Sequence, residues 1–215
     1  MRAVLWVLLI AVGSLALFWL VLLRILSRLS PGRPCPHALS WMLANPLRRR
    51  YMRSLLDRVG VRPGERVLEL GPGPGTFSIE AARRTEPGGT LIAVDIQPEM
   101  ISALKEKVDR AGLTNVETHV ASAHDLPVED GSVDRAFLVT VLPEIPDRKR
   151  ALAELRRVLK PSGVLSVTEE LLDPDYPLAR TTIRWLEEAG FELVERSGNW
   201  WAYTLNFRVA VAPPR

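Results

Sequence analysis

From Arg66 onward, short runs of aliphatic residues alternate with stretches of helical period, and this alternation narrows the fold most. The candidate strands are RVLEL (66–70), TLIAVD (90–95), VETHVA (116–121), VDRAFLV (133–139) and GVLSVTE (163–169). Several are nearly continuous apolar runs, as in parallel strands covered on both faces. Residues 98–111 carry Pro98 in the first turn, set Ile101, Leu104, Val108 and Ala111 on one face and stop at Gly112. Residues 148–159 place Leu152, Leu155 and Leu159 together and stop before Pro161, and residues 178–189 end at Gly190. Strand, helix and strand in succession predict a doubly wound α/β sheet. At the C-terminal end FELVERS (191–197) and WWAYTLNFRVA (200–210) are separated only by Gly198-Asn199, so they should pair as an antiparallel hairpin.

The N-terminal part obeys a different logic. Residues 3–23, AVLWVLLIAVGSLALFWLVLL, contain no charge. As a helix they would span about 31 Å, close to the roughly 30 Å of a bilayer's hydrocarbon core. A signal peptide would have a shorter apolar region and a small-residue cleavage site; here Arg24, Ile25 and Leu26 follow instead. Arg24, Arg28 and Arg33 follow the run and Arg2 alone precedes it, which favours a single-pass membrane protein with the chain after the span in the cytoplasm. Trp6 and Trp19 lie toward the two ends. The expected organisation is a transmembrane anchor (1–24), a basic, partly helical juxtamembrane segment (25–60) and a globular domain (61–215). In the second of these, Trp41, Met42 and Arg48–Arg50 suit a bilayer interface.

Charge supports this division. The net charge is +3, but residues 1–50 hold seven arginines and neither lysine nor acid, which leaves −4 for residues 51–215. The basic balance therefore belongs to the arm and gives no reason to expect nucleic-acid binding by the domain; it points to an anionic membrane surface. With 47% hydrophobic and 25% charged residues, a disordered chain is excluded. One cysteine, Cys35, excludes an intramolecular disulfide framework and a cysteine-rich zinc site, and the three histidines have no ligand spacing, so no metal is expected.

The sharpest chemical signal is VLELGPGPGTFSIEAARR (67–84). Gly71, Gly73 and Gly75, interleaved with Pro72 and Pro74, join a strand to a helix, where a backbone can turn tightly and approach a ligand. Glu69 precedes the loop, and Asp95 ends the second strand 24 residues after Gly71, where a carboxylate can accept from ribose hydroxyls. The spacing is G-x-G-x-G rather than the G-x-G-x-x-G of a diphosphate-binding loop. A nicotinamide-dependent oxidoreductase is therefore the weaker alternative, beside a tethered S-adenosylmethionine (SAM) binder without turnover.

Between about Arg66 and Phe207 the ordered motifs ELGPGPG, AVDIQPEM, SAHDLP with VEDGSVDRAF, and LKPSGVLSVTE resemble those of the class I SAM-dependent methyltransferases. The resemblance implies a seven-stranded, mostly parallel sheet with a reversed last strand. It also implies that Glu69, Gly71, Pro72, Gly73 and Gly75 hold the methionine part of SAM, that Asp95 binds the ribose and Ile96 packs on the adenine, and that Ala123 offers backbone to the adenine edge. Ser122 stands where many relatives have an acid. The Asn-Pro-Pro-aromatic motif of adenine and glutamine N-methyltransferases is absent from VTVLPEIPD, which makes those acceptors less expected.

Methyl transfer from a sulfonium requires alignment of the nucleophile behind the methyl, and some acceptors also need a base. Polar candidates at the ends of strands four and five are Thr140, Glu144, Glu169 and Glu170, with Glu144 and Glu169 the catalytic candidates and Thr140 near the cofactor. His124, Tyr203 and His37 are weaker candidates, and His119 reads as packed or surface. The anchor favours a lipophilic, membrane-proximal small-molecule acceptor, a phospholipid amine or a quinone-like ring.

Overall fold

The computed structural model describes residues 54–210, together with Trp6, Val7, Gly13, Ser14, Phe18 and Trp19. Most of the expected transmembrane helix and of the juxtamembrane segment lies outside the described residues. Among the described residues no helix is long and apolar enough to cross a membrane.

The elements run α1 (Leu55–Val59), β1 (Arg66–Leu70), α2 (Ser78–Thr85), β2 (Thr90–Asp95), α3 (Pro98–Ala111), β3 (Val116–Val120), β4 (Val133–Val139), a 3₁₀ turn (Leu142–Glu144), α4 (Arg148–Val158), β5 (Leu159–Glu170), α5 (Ala179–Glu188), β6 (Phe191–Gly198) and β7 (Ala202–Val209). They build one seven-stranded sheet in the order β3-β2-β1-β4-β5-β7-β6. The pairs β1–β2, β2–β3, β1–β4 and β4–β5 are parallel, and β7 runs antiparallel to both β5 and β6. Strand order reverses between β1 and β4, and in open α/β sheets ligands gather beyond the carboxyl ends of the strands at such a point.

Alternate side chains of each central strand enter opposite cores. Leu68, Ile92, Leu138, Leu165 and Val167 join Leu152 and Leu155 of α4 and Leu186 of α5. Val67, Leu91 and Phe137 face Ala81 and Ala82 of α2 and Leu55, Leu56 and Val59 of α1. Covering on both faces explains the apolar runs of β1, β2 and β4. The helix α3 matches the sequence boundaries: Pro98 sets its first turn, and Gly112 closes it in the left-handed region at φ 65°. β5 is longer than its expected span because Leu159 already pairs with Val133 before the register shifts.

The short helix α1 is fixed at its C-terminal end from two sides. The Arg135 guanidinium donates to the Val59 carbonyl (2.8 Å) and forms a forked ion pair with Glu65 (3.0 and 3.1 Å). The Asn206 amide donates to the Arg58 carbonyl (2.9 Å). These bonds fix where the chain enters the domain.

Candidate functional site

The loop after β1 is shaped by glycines that nothing larger replaces easily. Gly71 has φ 70°, its N–H donates to the Val94 carbonyl (2.8 Å), and a Cβ there would strike the Val141 side chain. Gly75 has φ 78°, and a Cβ there would lie 2.5 Å from Leu104 Cδ1 of α3. Both positions thus combine left-handed backbone with close approach. Pro74 offers its carbonyl to Lys107 Nζ at 2.5 Å. Lys107 carries no loop motif of its own, so sequence reasoning missed it. Its place one turn beyond Leu104 on α3 was the available signal.

Asp95 ties the loop to the end of β2. Its Oδ2 accepts from the Gly73 N–H (3.2 Å) and its Oδ1 from the Gln97 N–H (2.9 Å). Burial raises its pKa, and these backbone donors act against that rise. A carboxylate has about four lone-pair sites, so each oxygen keeps capacity for a hydroxyl donor. The Asp95 carbonyl accepts from Ala121 N–H (3.0 Å), which draws the Ala121–Ala123 segment beside it. Ile96 next door is 57% exposed, an apolar face beside a ribose-competent acid.

Glu69 lies buried before the glycines, with Oε2 lacking a hydrogen-bond partner. Desolvation pushes its pKa up to about 7; the Ser78 side chain lowers it and the Asp95 charge raises it. A buried carboxylate with an open oxygen, beside a glycine backbone arch, fits a cationic amino-acid tail. Loop, orphan acid, ribose-competent acid and exposed apolar face together suit SAM.

Ser122 and Ala123 are half-buried; the Ser122 hydroxyl accepts from the His124 N–H (3.2 Å). His124 Nε2 is buried without a partner. Thr140 is buried after β4, holds φ 56°, and donates its N–H to the Thr168 carbonyl (2.8 Å). A β-branched residue in the left-handed region costs of order 1–3 kcal/mol and marks functional sites more often than others.

The two catalytic candidates meet electrostatically. Glu169, at the end of β5, is 0% exposed, and neither carboxyl oxygen has a hydrogen-bond partner. Desolvation, then the charges of Asp173, Glu144 and Asp175, hold its pKa well above the usual carboxylate range. Glu144, in the 3₁₀ turn after β4, is half-buried. Burial and the neighbouring acids thus favour the protonated carboxyl of Glu169 over its carboxylate. Tyr203 lies opposite it on β7, and its hydroxyl is engaged by Thr182 (2.8 Å) and the Pro177 carbonyl (2.9 Å). Burial raises the Tyr203 pKa, so it is no base. His119 sits within β3, paired with Val94, and His37 lies outside the described residues.

Comparison with known proteins agrees with this geometry. Residues 67–163 match the model of the methyltransferase domain family. The chain is 34% identical over 137 residues to the ubiquinone/menaquinone biosynthesis C-methyltransferase UbiE of Pasteurella multocida, covering 62% of this chain and 51% of that protein. It is also 34% identical over 151 residues to the arsenite methyltransferase of Halobacterium salinarum, covering 62% and 39%. The chain thus spans about half or less of these relatives' length. A SAM-dependent methyltransferase from Aquifex aeolicus superposes with a TM-score of 0.77 over 82% of this chain and 100% of that one, at 23% identity, a likeness of fold. Residues 67–163 thus carry a methyltransferase-family match on a fold like that of a SAM-dependent methyltransferase.

Proposed function

We propose that this chain is a single-pass membrane methyltransferase that transfers the SAM methyl to a lipophilic small-molecule acceptor at the bilayer, a quinone-like ring before a phospholipid amine. The observation that carries the reading is the uncharged run 3–23 followed by an arginine-rich segment, joined to a domain similar to quinone C-methyltransferases. The similarity to an arsenite methyltransferase favours arsenite less. Trivalent arsenic is soft and prefers thiolates, and the chain has one cysteine.

In this reading Glu69 pairs with the ammonium of SAM, Asp95 accepts from its ribose, and Ile96 with the Ser122–Ala123 segment borders its adenine. SAM supplies an activated methyl, so the protein's contribution is alignment and proton management. Glu144, the more accessible carboxylate, takes the proton from a ring hydroxyl and raises its nucleophilicity. Glu169, whose protonated form burial favours, lies buried at the same end of the sheet. The arginines after the span support a cytoplasmic side for the catalytic domain.

Tethering raises the effective concentration of the domain at the bilayer. Removing residues 1–29 should lower methyl transfer to an acceptor in vesicles while SAM affinity, read by calorimetry, stays the same. Unchanged activity on vesicles would sink the membrane-acceptor reading.

A further inference from the structure

The hairpin tip between β6 and β7 presents two tryptophans to solvent. Trp200 is 74% exposed and Trp201 40%. Leu172, in the loop after β5, is 57% exposed. The register pairs Glu170 with Ala202, so tip and loop leave the sheet at one edge, the edge that carries the glycine loop, Asp95 and Thr140. The tip is firmly built. Asn199 Oδ1 accepts from the N–H groups of Trp201 and Ala202 (both 3.1 Å). The Leu171 N–H donates to the Trp201 carbonyl (2.6 Å), and the Tyr176 hydroxyl donates to the Trp200 carbonyl. Apolar rings held outward by a satisfied backbone mark an interaction surface.

The occupant follows from where the chain enters. Ser54 and Arg58 line an open groove of about 380 Å³ together with Gly198, Asn199, Trp201 and Ala202. The 53 residues before Ser54, with the uncharged run 3–23, therefore join the domain on the wall that holds Trp201. Tryptophan is the side chain enriched where bilayer meets water, an apolar ring with one N–H donor. The net charge of −4 over residues 51–215 gives no electrostatic pull toward anionic lipid, so apolar contact must supply the domain's own attachment.

We infer that the Trp200–Trp201 tip and Leu172 insert into the headgroup–acyl boundary of the bilayer, and that this edge, where ligands bind, faces the lipid. A lipophilic acceptor then passes from the bilayer to the site without crossing bulk water. The inference rests on the membrane reading above and adds the domain's orientation to it.

The test uses the full chain in phosphatidylcholine vesicles. In a Cys35→Ser background, Trp200→Cys and, separately, Leu172→Cys carry an environment-sensitive fluorophore. Glu129→Cys, exposed just before β4 at the opposite edge, is the control. SAM affinity reports that each variant is folded. The expected result is a blue-shifted emission at 200 and 172, quenched several-fold more by nitroxide lipids than at 129 and protected from aqueous iodide. Iodide quenching at 200 and 172 equal to that at 129, in a chain that floats with vesicles, overturns the docking and leaves the anchor standing. Protection from iodide without quenching by lipid means that a second copy or the N-terminal segment covers the tip, and also overturns it. A chain that does not float overturns anchor and docking together.

Discussion

Glu69 shows how one residue's environment sets both stability and affinity. Its carboxyl is raised from 4.5 to about 7 because burial removes water that the Ser78 side chain only partly replaces. The folded state therefore holds a proton that the unfolded chain has lost. Stability from this group is complete below pH 4.5 and falls as pH rises to about 7, at a cost of roughly 3 kcal/mol in the cofactor-free protein. SAM's ammonium reverses the balance by pairing with the charged form. Between about pH 6 and about pH 8, SAM affinity in calorimetry should rise with pH by about an order of magnitude. Glu69→Gln should flatten that dependence, weaken SAM by about 1.5–3 kcal/mol and raise the melting temperature of the cofactor-free protein above neutral pH. A Gln variant that keeps the pH dependence would assign the titration to another group, with Asp95 the next candidate.

At the scale of elements, the reversed strand is held by paired polar groups in its interior. β7 lies between β5 and β6, so both its edges are hydrogen-bonded, and successive residues Ala202–Phe207 are buried on both faces. Thr204 Oγ1 meets Thr168 Oγ1 at 2.9 Å, and Ser166 Oγ donates to Asn206 Oδ1 at 2.5 Å, all four residues buried. Thr204→Val should cost about 1–3 kcal/mol in urea unfolding, because it strands the Thr168 hydroxyl. The double change Thr168→Val with Thr204→Val should recover most of that loss; a double variant no better than the single would show that packing, not the orphaned hydroxyl, set the cost.

The same strand shows what sequence reading reaches. The order of elements, the antiparallel hairpin and the bounds of α3 were legible because each rests on local pattern: apolar runs, two turn residues, Pro98 and Gly112. The strict alternation of β7 is the mark of a strand with one wet face, yet Thr204 and Asn206 are buried and bonded across to β5. Periodicity cannot see a polar residue satisfied by a partner some 40 positions away. Likewise Gly71, Gly73, Gly75 and Asp95 stood out by spacing, whereas the raised pKa of Glu169, the hold of Lys107 on Pro74 and the orphan nitrogen of His124 arise only when distant segments meet.

For the whole molecule the decisive feature is the separation of charge along the chain. Seven arginines precede residue 51, and residues 51–215 carry −4. The acidic part includes Glu144, Asp173 and Asp175 around Glu169, at the edge where the acceptor is expected. Anionic lipid should thus attract the arm and repel the domain's rim, so the arginines next to the domain must offset the repulsion. Each basic residue near an anionic surface contributes about 1 kcal/mol, screened within a Debye length of roughly 8–10 Å at ordinary salt. Replacing Arg48, Arg49 and Arg50 by Gln in the full chain should therefore lower methyl transfer in vesicles rich in phosphatidylglycerol, most at low salt. In phosphatidylcholine vesicles the same variant should match the parent, and its SAM affinity should be unchanged in both. Equal activity in the two lipids at every salt concentration would mean that these arginines do not work at the membrane, and that apolar contact alone sets how close the domain lies to it.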